Sequence, residues 1–296
     1  MADAPHLIVI IGPTAAGKSD RALEMAPQFD GEIVSADSRH VYRRMDIGTN
    51  KPTGADQALV PHHLLDLRDP HESFSLGEYT RLARLAITDV QQRGKVPLLV
   101  GGTGQYVQAI LEGWQVPEVP PQPEIRAHWL AYAVQHGNEA LYSELLVRDP
   151  AALQTIDPRN VRRVVRALEV MEVTGRLWSE LQQRSPINRA QYQLIYINVA
   201  REALYARADA RLMQMVAHGW LDEVHALLAE LAGRGIDADA AIRLPSMSAL
   251  GYREMAAVVR GQITLDEAIA RVKRETRRFI RAQDTWFRKI VGGLSP

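Results

Sequence analysis

Apolar residues along this chain form short runs that are separated by longer segments of helical periodicity. Residues 7–11 are five consecutive apolar residues, and residues 96–100 form a second, largely apolar run. Between these runs, residues 75–92 repeat apolar positions every three or four residues, which is the spacing of an amphipathic helix. Strands that alternate with helices in this way predict an α/β fold, in which a parallel sheet is flanked by helices.

Further strands and helices complete the predicted core. The other segments with strand character are 31–38, 61–67 and 192–199. Helical patterns at 201–231 and 246–290 close the chain. Residues 39–52 have little periodicity, so we predict an ordered loop with short helical pieces that lines a site.

A proline-rich connector interrupts the predicted core. From Pro117 to Pro123 four of seven residues are proline, and the segment that follows shows only helical patterning. Because prolines stiffen a segment and end regular elements, we place a boundary here. We predict a first core part at 1–116, an all-helical insertion at 117–190, and a core continuation with basic C-terminal helices at 191–296.

The first strand runs directly into a glycine-rich loop with the spacing G-x-x-x-x-G-K-S. Backbone N–H groups of such a loop turn toward one anion, and the following helix N-terminus adds partial positive charge. Lys18 is expected to reach phosphate oxygens, and the Ser19 hydroxyl suits Mg²⁺. ATP is a common ligand of this pattern, which does not by itself identify the phosphate ester. We therefore predict a P-loop NTPase-like core whose diphosphate loop is Gly12, Pro13, Thr14, Ala15, Ala16, Gly17, Lys18 and Ser19.

The ends of the second and fourth predicted strands carry candidate catalytic groups. Asp37 follows an apolar strand, so its carboxylate should face the same cleft as the phosphate loop, where a general base is plausible. The alternatives are a helix cap or a water-mediated contact with Mg²⁺. Many ATPases place an aspartate for Mg²⁺ after the fourth strand, whereas this chain has Gly101-Gly102-Thr103. The threonine hydroxyl could bind a diphosphate or a substrate amine, unless the segment is only a tight turn.

Composition narrows the class of protein. The 296 residues include no cysteine, which excludes disulfides and thiolate metal sites and fits a reducing cytoplasm. The N-terminal residues lack the pattern of a signal peptide or a membrane span, so we expect a soluble cytoplasmic protein with no membrane partner. His62 and His63 have no third ligand at a suitable spacing, so we expect packing or hydrogen bonding rather than a metal site.

Positive charge is concentrated locally in a chain whose formal net charge is zero. One predicted helix carries four arginines at spacings of three and four: Arg159, Arg162, Arg163 and Arg166. Residues 271–289 hold eight Lys or Arg residues with aromatic residues between them, which favours a nucleic-acid partner over two ordinary solvated helices. Arg207 and Arg211, one turn apart, are either a second phosphate clamp or part of a surface helix.

These motifs, in this order, resemble those of bacterial tRNA dimethylallyltransferases. The matching stretches are 12–19, 33–38, 42–49, 51–52, 61–64, 100–103, 166–170, 249–254 and 283–288. The resemblance implies transfer of a dimethylallyl group from dimethylallyl diphosphate to N6 of the adenosine 3′-adjacent to the anticodon, with release of pyrophosphate. It also implies Mg²⁺ as cofactor, the tRNA anticodon stem-loop as partner and base flipping into a channel. We expect a monomer.

Family roles carry over to the matching positions. The phosphate loop would hold the donor, Asp37 would accept the N6 proton, and Thr103 would bridge donor and acceptor. Arg207 and Arg211 would stabilise the departing pyrophosphate. Positions in tRNA-contacting stretches are Asp37, Ser38, Arg39, His40, Thr103, Arg126, Arg162, Arg163, Arg166, Gly251, Tyr252, Arg253, Arg281, Gln283, Trp286 and Arg288. Ala282 stands where the family often has a basic residue, which weakens the case for a phosphate contact there.

Two other classes of protein share part of the pattern. A P-loop small-molecule or nucleotide kinase also combines a phosphate loop with a strand-end aspartate, but that interpretation leaves the basic insertion unexplained. An RNA-binding protein with a degenerate loop is disfavoured, because the Gly-Lys-Ser sequence is intact.

Overall fold

The computed structural model describes residues 6–182 and 184–293. Its strands are β1 (Leu7–Ile11), β2 (Gly31–Ser35), β3 (His62–His63), β4 (Val96–Gly101) and β5 (Tyr192–Tyr196). The helices of the first half are α1 (Lys18–Met25), α2 (Gly54–Leu59), α3 (Leu76–Gln92), α4 (Gly104–Leu111), α5 (Pro123–His136) and α6 (Asn138–Arg148). The others are α7 (Val161–Thr174), α8 (Trp178–Leu181), α9 (Arg201–Ala217), α10 (Trp220–Gly233), α11 (Ala238–Ala241), α12 (Tyr252–Val259) and α13 (Leu265–Gly293).

The five strands form one sheet in the order β3-β2-β4-β1-β5, and every pairing is parallel. All five residues of β1 are buried, as expected for a parallel strand covered by helices on both faces. The predicted α/β fold is confirmed. Because β2, β4 and β1 are neighbours, the segments that follow them meet at one edge of the sheet, where ligands bind in this class of fold.

Two local predictions are wrong. The predicted strand at 61–67 is only two residues long, because Leu64 and Asp66 adopt left-handed conformations with φ of 68° and 54°. Within 39–52 the chain forms turns rather than short helices, and Arg44 and Asn50 are also left-handed. A left-handed residue cannot continue a strand or a right-handed helix.

The loop at 39–52 is nevertheless ordered by buried charge. The Lys51 ammonium lies in ion-pair contact with Asp46 at 2.5 Å and Asp66 at 2.6 Å, and it donates to the carbonyl of Tyr42 at 2.6 Å. Lys51 is buried, so these partners replace the water that it lost. One cation thus fixes the return of the loop to the sheet.

The chain divides into two compact units. The first comprises 1–74, 81–111 and 187–296, and contains the sheet. The second comprises 75–80 and 112–186, whereas the predicted insertion was 117–190. Trp129, Leu141, Leu145 and Leu168 lie among the buried residues of the second unit, whose core is built by α5, α6 and α7.

Helices α9 to α13 belong to the first unit. Trp220, Tyr252 and Met45 are fully buried in their shared core, so these helices pack against the loop at 39–52. Among the described residues no helix is long and apolar enough to cross a membrane.

Candidate active site

The phosphate loop is shaped by two left-handed residues between β1 and α1. Ala15 and Gly17 have φ of 66° and 90°, and the N–H of Ala16 donates to the carbonyl of Pro13 at 3.2 Å. Gly12 passes close to the backbone, since a Cβ there would lie 2.9 Å from the carbonyl oxygen of Ile197. The loop therefore turns back on itself before α1 begins, the geometry that points N–H groups at an anion.

Lys18, the first residue of α1, is a cation partly removed from water. Its Nζ donates to the carbonyl oxygen of Pro13 at 2.8 Å. Desolvation lowers the pKa of Lys18 to about 8, with Asp37 acting in the opposite direction and Arg211 in the same one. A bound anion beside Lys18 would restore the preference for the charged ammonium.

The segments after β2 and β4 are tied together at their polar ends. Thr103 donates its N–H to the carbonyl of Ala36 at 3.1 Å, and its Oγ1 accepts the N–H of Ser38 at 3.0 Å. Asp37 Oδ1 accepts the N–H of Arg39 at 2.9 Å, which anchors the carboxylate. A side chain at Gly101 would overlap the backbone of Ala36, so this close approach requires glycine.

These segments line a cavity of about 430 Å³ in the first unit. Of the predicted site residues, its wall includes Thr14, Asp37, Ser38, Arg39, Thr103, Arg211, Gln283 and Trp286. The wall also includes large apolar side chains, namely Leu212, Met215, Trp220, Leu250, Val272 and Phe279. The cavity thus reaches the phosphate loop at Thr14 and combines the Asp37 carboxylate with apolar side chains, a combination suited to a ligand with a phosphate and a hydrocarbon part.

The family follows from comparison with known proteins. A model of the family described as IPP transferase matches residues 40–290. The chain belongs to this family. It is 54% identical to a tRNA dimethylallyltransferase of Roseiflexus sp. (strain RS-1), over 98% of this chain and 92% of the relative. The predicted family and its enzyme class, a tRNA prenyltransferase, are confirmed.

Solved structures of proteins in this family are similar to the structure of this chain. The tRNA isopentenylpyrophosphate transferase of Bacillus halodurans is 39% identical, with a TM-score of 0.64 over 95% of this chain and 86% of that one. A eukaryotic dimethylallyltransferase acting on tRNA is 27% identical, with a TM-score of 0.78 over 95% of this chain and 69% of the other. The prediction of a P-loop NTPase-like core is confirmed by this structural likeness.

The two predicted phosphate arginines on α9 differ in environment. Arg211 is partly buried and lines the cavity, and desolvation lowers its pKa, with Asp20 acting in the opposite direction. Arg207 is exposed one turn earlier. Arg211 is therefore better placed than Arg207 to contact a ligand inside the cavity.

Several residues in the predicted tRNA-contacting stretches have partners within the protein. Two arginines donate to backbone carbonyls, Arg39 to that of Pro245 and Arg253 to that of Ile242. Arg281 donates to the Tyr205 hydroxyl, and Arg288 forms an ion pair with Asp284. The His40 ring is within hydrogen-bond distance of the Ser35 hydroxyl and the Thr49 carbonyl. Tyr252 is fully buried and its hydroxyl donates to Glu223 at 2.6 Å, so its side chain serves the core. Left-handed Gly251 faces the Trp220 ring without room for a Cβ. Trp286 packs on Gly104 but remains 43% exposed.

The four arginines predicted to share one helix face have different roles in the second unit. Arg159 precedes α7 and pairs with Asp157, so the prediction that it belongs to the helix is wrong. Arg166 contacts Glu169, which is buried and also binds Arg126. Two arginines are left at the exposed start of α7: Arg162 and Arg163.

Two residues order the site through contacts that the sequence analysis did not predict. The Glu223 carboxylate accepts the N–H groups of Asp46 and Ile47 at 2.7 Å and of Gly48 at 3.2 Å, and so fixes part of the cavity wall. The Gln283 side chain bonds to the phosphate loop and to Gly102. No local sequence signal identifies these contacts, because the backbone groups that Glu223 and Gln283 bind are more than a hundred positions away.

Proposed function

We propose that this chain transfers a dimethylallyl group from dimethylallyl diphosphate to N6 of the adenosine 3′-adjacent to the anticodon of tRNA, and releases pyrophosphate. The observation that carries the proposal is the cavity that joins a phosphate loop and an anchored carboxylate to an apolar wall. A kinase for a small polar substrate would have little use for such a wall. The proposal agrees with the relatives described above, a tRNA dimethylallyltransferase and a eukaryotic dimethylallyltransferase acting on tRNA.

The donor would be bound at both of its ends. The diphosphate would accept from loop N–H groups and from Lys18, while Arg211 adds positive charge from α9. The five-carbon group would lie against the apolar wall near Leu212 and Val272. Fixing both ends holds the reacting carbon in place, which lowers the entropy lost at the transition state.

The transfer step exchanges one bond for another. The N6–C bond forms as the C–O bond to the diphosphate breaks, and pyrophosphate leaves with the bonding electron pair. The N6 proton passes to the Asp37 carboxylate. A hydrogen bond from the Arg39 N–H holds this carboxylate in the cavity wall. Thr103 lies beside it, tied to Ser38, where it would bridge donor and acceptor.

The proposal includes Mg²⁺ as cofactor. The described residues contain no cluster of three or more His, Cys, Asp or Glu side chains that would form a metal cage built from protein alone. Mg²⁺ commonly keeps several waters and shares substrate phosphate oxygens with one or two protein ligands. The exposed Ser19 hydroxyl at the start of α1 fits such a role. When bound, the ion would neutralise charge on the departing pyrophosphate.

The tRNA partner would be held through its backbone by the basic residues of the second unit and of α13. Arg162 and Arg163 are exposed and carry the positive charge that phosphates require. A target base must leave its stack to reach a cavity of this kind. We further propose that the enzyme acts as a monomer in the cytoplasm.

The test is a transfer assay with defined substrates. Purified protein, Mg²⁺, dimethylallyl diphosphate labelled in the prenyl group and unmodified tRNA should give labelled tRNA. A matched tRNA with guanosine in place of the target adenosine should remain unlabelled, because it offers no exocyclic N6 amine. Absence of transfer to the first tRNA, together with ATP turnover on a small alcohol, would overturn the proposal in favour of a kinase.

A further inference from the structure

Gln283 lies on α13 and bridges two loops of the cavity. Its Oε1 accepts the N–H of Thr14 at 2.8 Å, and its Nε2 donates to the carbonyl oxygen of Gly102 at 2.9 Å. The side chain is only 6% exposed. One amide thus links the diphosphate loop after β1 with the segment that carries Thr103 after β4.

The bridge needs an amide of this length at this position. A glutamine side chain ends in one acceptor and two donors, and here one atom of each kind meets a backbone group of the opposite kind. A Cβ at Gly102 would lie 2.8 Å from Nε2, so glycine lets the two approach. Removing the amide would leave a Thr14 N–H and a Gly102 carbonyl to find other partners.

We propose that Gln283 is a positioning residue that sets the spacing between the donor diphosphate and the acceptor-side Thr103. The inference rests on the proposed function. It assigns Gln283 a role different from the tRNA contact that the resemblance implies, because both ends of its amide are already bonded inside the protein. A misplacement of about 1 Å between reacting groups can lower a rate by about 100-fold, so loss of the bridge acts on the chemical step.

Two variants distinguish the two hydrogen bonds of the Gln283 side chain. Gln283→Met keeps the approximate length of the side chain and removes both hydrogen bonds. Gln283→Glu keeps an acceptor for the Thr14 N–H and removes the donor to Gly102. The matched control is Thr285→Ala on the same helix, where an exposed hydroxyl donates to the carbonyl of Arg281 at 3.0 Å.

The measurements are single-turnover transfer at saturating tRNA and donor, and tRNA affinity by filter binding. We expect a fall of about 100-fold in rate for Gln283→Met and about tenfold for Gln283→Glu, with tRNA Kd within about twofold of the unaltered protein. Thr285→Ala should match the unaltered protein in both measurements. An increased tRNA Kd with an unchanged saturated rate would overturn the positioning role and support a tRNA contact.

Hydrogen exchange of the free protein gives a readout without catalysis. Peptides that cover 12–19 and 101–104 should exchange faster in Gln283→Met than in the unaltered protein, because the Thr14 amide has lost its acceptor. Unchanged exchange in both peptides would overturn the inference. If Gln283→Met does not fold, as judged by circular dichroism, Gln283→Glu carries the test through the rate and the exchange at 101–104.

The same assays distinguish failure of the positioning role of Gln283 from failure of the proposed function. If the unaltered protein transfers the prenyl group and both Gln283 variants do so equally fast, only the positioning role fails. If the unaltered protein transfers nothing to tRNA, the proposed function fails, whatever the exchange data show.

Discussion

Lys18 and Glu169 are both charged side chains withdrawn from water, but they differ in what surrounds them. Glu169, in the second unit, accepts from Arg126 at 2.8 Å, from Arg166 at 2.6 Å and from the N–H of Gln122 at 2.6 Å. Lys18 donates to a neutral carbonyl, that of Pro13. The carboxylate is thus neutralised by its own protein, whereas the ammonium is left for an anion that binds from outside.

The direction of the pKa shifts expresses the same difference. Burial raises the pKa of Glu169, but hydrogen bonds from Arg126, Gln122 and Arg166 outweigh it and hold the pKa below its usual range. Desolvation lowers the pKa of Lys18 to about 8 despite the opposing charge of Asp37. The charged form of Glu169 therefore stabilises the fold, whereas burial destabilises the charged form of Lys18 until an anion binds beside it.

The largest expected effect is that of Lys18→Met. Removing the ammonium takes away a charged donor to the diphosphate, so kcat/KM for the donor should fall about 1000-fold. The tRNA Kd should change by less than about twofold, since the methionine alters no RNA-facing charge of the second unit. Steady-state transfer and filter binding measure the two effects. A loss of less than tenfold would contradict the idea that this cation is reserved for the donor.

Asp37→Asn should follow with a fall of about 100-fold in the transfer rate. Asparagine retains an acceptor for the N–H of Arg39 but cannot take up the N6 proton. Donor and tRNA affinities should stay near those of the unaltered protein. A parallel loss of tRNA affinity would show that the carboxylate serves binding and not proton transfer.

Glu169→Gln should affect stability more than rate. Removing the charge leaves the partly exposed Arg126 and Arg166 without their shared anionic partner, and loss of hydrogen bonds between charged groups costs about 2 kcal/mol. Urea denaturation of the full protein, followed by tryptophan fluorescence, measures the loss in the free energy of unfolding. Glu180→Gln, at an exposed glutamate whose contact with Arg176 is 3.9 Å, is the control and should change little.

Glu169→Gln should also change how the stability of the protein depends on pH in acid. Because the folded-state pKa of Glu169 lies below its unfolded value of 4.5, its contribution is complete above pH 4.5 and is lost as the pH falls through the folded-state pKa. Denaturation midpoints of the unaltered protein should therefore fall more steeply in that window than those of Glu169→Gln. Equal slopes would mean that Glu169 has the same pKa in the folded and unfolded protein, so that its charge does not stabilise the fold.

Donor binding should depend on pH in the opposite sense. A bound diphosphate raises the pKa of Lys18, so the donor affinity is full below about pH 8 and weakens as the pH rises above it. The expected slope is up to about tenfold per pH unit, measured by calorimetry with the donor and no tRNA. Lys18→Met should bind weakly with no such slope, which separates Lys18 from other titrating groups.

The smallest expected effect concerns Arg162 and Arg163. Replacing both with alanine should reduce the salt slope of tRNA binding by about 2, since each phosphate contact contributes about 1. Arg176→Ala, an exposed arginine of the same unit outside α7, is the control. An unchanged slope would exclude the start of α7 from the RNA interface, whereas Arg166 is expected to act mainly through Glu169.

The sequence predicted those parts of the site that depend on local patterns. A glycine-rich loop after a buried strand and an aspartate at the end of the next strand must meet at one edge of a parallel sheet, and Asp37 does line the cavity with Thr14. The contact between Arg166 and Glu169 could also have been found, because residues three apart share a helix face.

The remaining contacts depend on residues far apart in the chain. Thr14 and Gln283 are 269 positions apart, and Glu223 lies 175 positions from Gly48. The strand predicted at 61–67 ends early for a similar reason, because Asp66 adopts a left-handed conformation where it contacts Lys51, 15 positions earlier. Patterns of apolar residues carry no information on such pairings.

Gln283 follows Thr14 of the phosphate loop by 269 positions, which bears on how the enzyme is made. A ribosome completes the phosphate loop well before α13, and the amide that anchors the loop arrives only with that helix. Because α13 also adds Val272 and Ile280 to the buried cores of the first unit, neither those cores nor the anchored phosphate loop is complete until α13 has been made.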